Sequence, residues 1–595
     1  MTQALLTELH NLGIKDWDAR VLDAEFGGEP EFCEGMDAIA SWVFLKAAPS
    51  TQPAGEPWKT IWSIMGKEVS SGAIPDDALI TATSAYSSNV NTALWDAIGV
   101  RSVDIQTDQL NAKGIKSAST KVVDLLLNKL DFFCDPVGVA WVGLPVPPHT
   151  EFVPVRSSKF RSWVGRRYYE KYHKTMGGAA LEDAITVFIA KAADNPTREV
   201  YTRLAHYQGK LYIDLCNQNW EFVEVDPAGW HVITNPPIPF KRSRGMKPLP
   251  TPELSINDPY DLRQFTNLDD EGWNLVMGWL LGAFGPGDYP ILVLNGEQGS
   301  GKSTLSELLR RLIDPNEADL RGAPREEQTL MIAASNSHVL AFDNLSSVPD
   351  WLSDSLCRIS TGAGFATREL YTNQEEVIIS VKRPMLINGI TDLVTRGDLL
   401  SRSIIVTVPT LDDTQRVSKD DYWIQFEAAQ PYIFGLILDT LSHALANFPK
   451  TKLTSYPRMA DFARWVMAAG PSMGWGPDKF LSTYELAAQN ATIAVLDYSM
   501  VANELQVLIK QNPNWKGTTM DLLEKLRAQS VFGPSEDYFH KLRPNTLAGE
   551  LKRLAPILRK VGINLTFHKP AWSNGRVQKL VELSDLNVLS GVRVP

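Results

Sequence analysis

The chain has 595 residues, 44% of them hydrophobic, and a formal net charge of −11 at pH 7. That length predicts about four folded domains, each large enough to bury a core. No apolar run reaches the ~18 residues of a membrane span and no basic region leads into an apolar N-terminal core, so neither membrane insertion nor secretion is expected, and the predicted location is cytoplasmic. The cysteines, Cys33, Cys134, Cys216 and Cys357, lie far apart without a CxxC pair, which points away from a zinc ribbon or a disulfide framework.

Charge is unevenly spread along the chain. Residues 1–110 carry 16 acidic against 6 basic side chains, and residues 1–114 form an acidic N-terminal region to which no role attaches. Residues 115–250 read as a mixed α/β region. In it KVVDLLLNKLDFF has helical spacing and VGVAWVGLPV reads as strand, and the later RLAHYQGKLYIDLCNQNWEFVEVDPAGWHVIT alternates short strands with turn signals. Residues 152–174 interleave seven basic residues with Phe160, Trp163, Tyr168, Tyr169 and Tyr172. That mixture suits phosphate contact and base stacking, or equally a helix whose aromatics are core and whose cations are solvated. NPPIPFKRSRGMKPLPTPE reads as a basic, Pro-rich linker. Nucleotidyl transfer in this half would need clustered carboxylates at strand ends, and Asp104, Asp131 and Asp214 are isolated.

The sharpest pattern follows in ILVLNGEQGSGKST. An apolar run ends in the complete phosphate-loop sequence, Gly296, Glu297, Gln298, Gly299, Ser300, Gly301, Lys302 and Ser303, with Thr304 entering a helix marked by Leu305, Leu308, Leu309 and Leu312. Small residues let backbone N–H groups approach an anion, Lys302 neutralises phosphate oxygens, Ser303 supplies a hydroxyl for Mg²⁺, and the helix N-terminus faces the negative charge. A nucleoside triphosphate with Mg²⁺ is the ligand this pattern predicts. Residues 254–411 form the nucleotide domain on this basis, because the loop needs a second acidic strand end. The run His338 to Phe342 ends in Asp343 and Asn344, which places Asp343 to hold Mg²⁺ through water. A third apolar strand, Pro384 to Ile387, ends in Asn388. If it lies between the other two, its amide stands beside the γ-phosphate and orients water. Arg396 and Arg402 follow.

Beyond the nucleotide domain, residues 412–500 show helical spacing and read as a helical lid. Residues 501–595 read as a winged helix, with helices at VANELQVLIKQ, TTMDLLEKLRAQ and NTLAGELKRLAPILRKVG. The third puts Leu547, Leu551, Leu554 and Leu558 on one stripe and turns Lys552, Arg553, Arg559 and Lys560 outward, with Pro556 expected to kink or restart it. Two strands, INLTFHK and RVQKLVEL, flank the turn PAWSNG as a wing carrying Arg576. Residues 541–579 hold nine basic residues against one acid, so duplex DNA is the predicted partner of this module, with protein docking as the alternative.

The loop GEQGSGKS, the strand VLAFDN, the segment STGAGFATRELYTNQEEVIISVKRP, the strand MLINGI and LLSRSIIV occur in the order that resembles superfamily 3 helicases, especially the poxvirus-type primase-helicase ATPase domains of phages, plasmids and integrated elements. The resemblance implies a multidomain α/β protein with a P-loop ATPase core of AAA+ type, ATP bound between subunits of a ring, a hexamer as the expected assembly, and an arginine finger at Arg402. It also implies a hairpin in the ring channel, with Arg368, Tyr371, Thr372 and Asn373 on single-stranded DNA. The implied activity is ATP-driven helicase or translocase action in replication of a mobile element. Where many relatives carry two acids after the second strand, this chain has Asp343 and Asn344, and an amide cannot accept a proton. An ATPase switch without helicase action therefore stays open, as does a primase-helicase.

Overall fold

A computed structural model describes residues 116–586 apart from 255–260, 363, 369–375, 380, 391–392, 413–415, 531–533, 569–570, 574–575 and 579, and for 365–368, 376–379, 534–536, 571–573 and 576–578 it describes backbone alone. The chain divides into one unit of residues 1–126 with 164–184 and another of residues 127–163 with 185–595.

In the first unit, α1 spans Ala118–Leu126 and buries Val122 and Leu126. Among the described residues it also holds the C-terminal part of α2, Ser158–Tyr172, and the start of α3, Gly178–Ala193. Tyr168 is buried, and Arg166 and Arg167 each donate to Glu170 at 2.8 Å. The basic, aromatic segment is thus partly core and partly a surface ion-pair ladder.

The second unit opens with β1 (Asp131–Cys134), β2 (Ala140–Val146) and β3 (His149–Pro154), an antiparallel sheet in sequence order. The helical expectation over 121–133 is corrected here. The helix stops at Leu126, and Phe132 and Phe133 lie on β1, where Phe132 stacks on Phe188 of α3 at 5.0 Å. Two adjacent aromatics favour a pleated surface over a helix, where their χ1 freedom is restricted. β4 (Leu204–Tyr207), β5 (Lys210–Asp214), β6 (Phe222–Asp226) and β7 (Gly229–Ile233) form the expected meander.

A buried ionic knot joins this meander to the following α/β layer. Arg203, fully buried, donates from Nε to Asp314 Oδ1 at 2.9 Å and from Nη1 to the Asp214 carbonyl at 2.8 Å. Asp314 also accepts the backbone N–H groups of His338 and Val339, and Arg310 bonds the Val339 carbonyl. Each charge has a partner, which is the condition under which burial of ions is tolerated.

The α/β layer begins with α4 (Asp270–Gly282), N-capped by Asp269, whose side chain accepts from Gly272 N. Then follow β8 (Ile291–Asn295), α5 (Lys302–Ile313), α6 (Glu327–Asn336), β9 (Leu340–Leu345), α7 (Asp350–Thr361), the antiparallel pair β10 (Phe365–Arg368) and β11 (Glu376–Ile379), β12 (Met385–Gly389), α8 (Gly397–Leu400) and β13 (Ser403–Thr407). Four strands make a parallel sheet in the order β13–β8–β12–β9. Ile291, Leu292, Val293 and Leu294 are all buried, as a strand covered by helices on both faces requires. β12 lies between the phosphate strand and the acidic strand.

Three helices follow, α9 (Lys419–Asn447), α10 (Ala460–Ala469) and α11 (Lys479–Tyr498); α10 and α11 pack on α4, α11 also on β13, and α9 packs on α10 and on β6 and β7 of the meander. A Cβ on Gly278 would come within 2.1 Å of the Phe480 ring, so that glycine permits the close approach of α11. Among the described residues no single helix is long and apolar enough to cross a membrane, and α11 meets the helix after it at a bend of 92°.

The C-terminal part contains α12 (Met500–Gln511), β14 (Asn514–Thr518), α13 (Thr519–Gln529), α14 (Pro534–Lys541), α15 (Pro544–Lys560), β15 (Ile563–Phe567), the hairpin β16 (Ala571–Ser573) and β17 (Arg576–Gln578), and β18 (Leu580–Asp585). β14, β18 and β15 form an antiparallel sheet with β18 central. Of the kink or restart expected at Pro556, the restart does not occur, and α15 runs on through it. Pro556 and Lys552 are both exposed, so the carbonyl that loses its donor faces water. The segment expected as a turn, PAWSNG, contributes β16, and α14 and β14 add to the three helices and two strands expected.

Candidate functional site

β8 ends at Asn295 and the chain turns through Gly296, Gly299 and Gly301, which hold φ of +155°, +83° and +85°. At Gly296 a side chain is also barred by space, since a Cβ would stand 2.7 Å from the Val408 carbonyl oxygen. Gly301, in the left-handed region, caps α5 without a side-chain bond, so the first N–H groups of α5 stay open for an anion. Lys302, 8% exposed, curls back into the loop. Its Nζ donates to the carbonyls of Gly296 at 2.8 Å and Glu297 at 2.6 Å and to Ser300 Oγ at 3.3 Å. Burial lowers its pKa below the ordinary lysine value, opposed by the charge of Asp343. Gln298 is exposed at the loop tip and Thr304 is half-buried in the first turn of α5.

Asp343 is the point on which the surrounding side chains converge. Its Oδ1 accepts from Ser303 Oγ at 2.6 Å and from Asn388 Nδ2 at 2.8 Å. Asn388, 1% exposed, also donates to Ser306 Oγ at 2.8 Å and accepts the Asn344 N–H at 2.8 Å. The acidic strand runs on to Leu345 instead of ending at Phe342 as expected. Register passes from Ile387 opposite Phe342 to Gly389 opposite Leu345, one residue extra on β9, and Asn344 takes φ +55°. This bulge re-aims Asp343 toward Ser303, and Asn is among the residues that tolerate the left-handed region. The Asn344 side chain is exposed. Ser303 and Asp343 offer hard oxygen donors, the chemistry Mg²⁺ takes directly or through water.

Arg402 stands at the other end of the sheet. Its carbonyl accepts the Ile291 N–H at 2.8 Å, at the start of β8, and its Nη1 donates to the Asp398 carbonyl at 3.0 Å. The nearby Arg396 is held by Asp350, Asp354 and Asp398 at 3.2, 2.8 and 3.2 Å.

Of the residues expected on DNA, Arg368 pairs in register with Glu376 at the distal end of the β10–β11 ladder, while Tyr371, Thr372 and Asn373 lie outside the described residues. Lys552, Arg553, Arg559 and Lys560 are exposed on α15. Arg553 differs from the other three, since it lines a cleft of about 730 Å³ together with Arg396 and Asp350. Arg576 sits opposite Ser573 beside the hairpin turn, its side chain outside the described residues. In the N-terminal half, Asp131 is paired with Arg198 and Asp214 with Arg242, and Asp104 lies outside the described residues.

Two residues near the loop carry no motif and escaped the sequence. Asn267 Nδ2 donates to the Ser300 carbonyl at 3.1 Å and the Pro409 carbonyl at 2.5 Å. Arg416, beyond the expected end of the domain, brings Nη2 to 3.8 Å from the position of a Cβ on Gly299.

Residues 257–479 match the family described as actinomycete integrative conjugative element replication protein, and residues 501–590 match the AICE RepA C-terminal domain. No curated protein matches the chain in sequence. Among solved structures, one titled SCCmec type IV Cch, active helicase, is similar at 12% identity and a TM-score of 0.40, over 78% of this chain and 93% of that one. The apo NrS-1 C-terminal region is similar at 14% identity and a TM-score of 0.34, over 78% of this chain and 99% of that one. Scores that low carry no functional argument. The two family matches together span more than half of the sequence, with the phosphate loop inside the first and α15 inside the second, and the chain belongs to the replication proteins of actinomycete integrative conjugative elements.

Proposed function

We propose that this replication protein is an ATP-dependent DNA helicase or translocase that works as a ring, with AAA+ type ATP sites between subunits, single-stranded DNA in the channel and duplex DNA on the C-terminal module. The observation that carries the proposal is the convergence of Ser303 and Asn388 on Asp343 beside the glycine loop. In that arrangement Gly296 to Thr304 cradle the phosphates and Lys302 leaves the loop carbonyls for phosphate oxygens. Ser303 and Asp343 hold Mg²⁺, which when bound offsets phosphate charge. Asn388 fixes Asp343 and Asn344 by one amide, so that water placement and metal placement share a single support. Arg402 lies about five residues of strand, ~16 Å, from the loop of its own chain, a span suited to a neighbour's site.

The test is ATP turnover with and without single-stranded DNA, together with unwinding of a forked duplex, in wild type and Lys302→Ala. Wild type should gain turnover on DNA and open the fork, and the variant should do neither. One observation favours a second proposal, a nucleotide-binding switch: the residue after Asp343 is the exposed amide Asn344, which cannot act as a general base. ATP binding with slow, DNA-insensitive turnover and intact forks would select that alternative.

A further inference from the structure

The segment leaving β13 closes over the mouth of the phosphate loop. Val408 N donates to the Asn295 carbonyl at 2.8 Å, and the Val408 carbonyl oxygen approaches Gly296. Asn267 then bridges the loop at Ser300 to Pro409. A Cβ on Gly301 would stand 3.7 Å from Leu411 Cδ1 and 3.9 Å from Asn267 Oδ1. Arg416 arrives last, with Nη2 3.8 Å from the Cβ position of Gly299. The loop is therefore bordered by Lys302 on the helix side and by a second cation on the β13 side.

We infer that Arg416 is a second cation for the nucleotide's phosphates, supplied by the same chain, and that Asn267 is the positioning residue that fixes its segment against the loop; this rests on the nucleotide reading of the loop. Lys302 offers a point charge, whereas a guanidinium presents a planar fork that bonds two phosphate oxygens at once. A contact from the loop's own rim is made in the bound ground state and kept in the transition state. Uniform binding of that kind lowers KM and leaves kcat nearly unchanged. Arg402, acting on a neighbour's transition state, has the opposite signature. Asn267 acts through Arg416, so the two losses share one cause and do not add.

The experiment measures the Kd of Mg-ATP and steady-state KM and kcat on the full chain. Arg416→Ala should weaken ATP binding by about 10- to 100-fold, the loss of a charge-assisted contact, with KM rising in step and kcat within about two-fold. Arg416→Gln keeps the stem and gives the same answer should the alanine variant unfold early. Arg416→Lys should recover part of the affinity. Asn267→Ala should weaken ATP by a smaller factor, and the double variant should bind no worse than Arg416→Ala. Wild-type ATP affinity in Arg416→Ala and Arg416→Gln, with affinity lost in Lys302→Ala, overturns the inference while leaving the loop assignment standing. Full additivity of Asn267→Ala and Arg416→Ala overturns the positioning role. Undiminished binding in Lys302→Ala removes the nucleotide site itself and this inference with it.

Discussion

Asn388 and Asp343 stand on neighbouring parallel strands and are joined by a hydrogen bond of 2.8 Å from amide Nδ2 to carboxylate Oδ1. The amide uses separate atoms for its two contacts, donating to Asp343 from Nδ2 while Oδ1 accepts the Asn344 N–H. Asn388→Asp keeps the acceptor and puts a second carboxylate against the first. Two carboxylates at that distance cannot both ionise in a site where residue 388 is 1% exposed, so one takes a proton. The expected result is a fall in kcat on the order of 10², comparable to losing one preorganised donor, with weakened Mg²⁺ dependence. Turnover equal to wild type would sink the assignment of Asn388.

The buried knot around Asp314 sets an acid limit on stability. Burial, reinforced by Arg383, pushes His338 down to about 4 from 6.5. Burial alone would raise Asp314, yet Arg203 and Arg310 hold it down to about 2. Both groups are depressed in the folded state, so their contributions are whole above the unfolded values and are lost as pH falls through the folded ones. The histidine acts first, between about pH 6.5 and 4, and the aspartate below the ordinary 3.8. Thermal midpoints should hold level above pH 6.5 and fall steadily toward pH 4. His338→Gln, which keeps a donor for the Ala283 carbonyl at 2.9 Å, should flatten that fall. Equal slopes in the two proteins would assign the acid sensitivity elsewhere.

On α15, Lys552, Arg559 and Lys560 are exposed together, whereas Arg553 borders the cleft with Arg396. If this helix contacts duplex phosphates, each of the first three, changed singly to Ala, should weaken binding evenly across sequences and reduce the salt slope by about 0.9. Arg553→Ala should change it less, because its side chain borders the α/β layer. A salt slope unaltered in Lys552→Ala, Arg559→Ala and Lys560→Ala would turn the module into a protein-docking one.

Strand ends of the parallel sheet were legible because each buried strand is an unbroken apolar run followed at once by polar residues, Asn295, Asp343 and Asn388 in turn. The same logic could not reveal the bulge, since whether β9 stops at Phe342 or runs to Leu345 depends on the Asn388 amide reaching across from another strand. Asn267 and Arg416 were illegible for a related reason: each approaches the loop from a distant stretch of chain, and no local spacing records such a meeting. Phe132 and Phe133 misled because they continue an apolar rhythm that a turn after Leu126 interrupts. β14, NWKGT, is only half-buried and shows no apolar alternation to announce it.

Arg402 gives the most direct test of a ring. It immediately precedes β13, whereas the phosphate loop follows the far end of β8, with which β13 pairs in parallel from Ser403 opposite Ile291 to Thr407 opposite Asn295. An arginine separated from its own loop by the length of the sheet can stabilise transition-state charge only on a neighbour's ATP, and such fingers contribute on the order of 10³ or more in rate. Arg402→Ala should therefore bind ATP and barely hydrolyse it, while Lys302→Ala keeps its finger and loses its own site. Mixing the two inactive proteins under verified subunit exchange should restore part of the ATPase, through interfaces that pair an intact loop with an intact finger. No recovery would take Arg402 out of the neighbour's site. Arg396 would not replace it without releasing Asp350, Asp354 and Asp398, so breaking that triple pairing with Asp354→Asn would become the next variant to mix with Lys302→Ala.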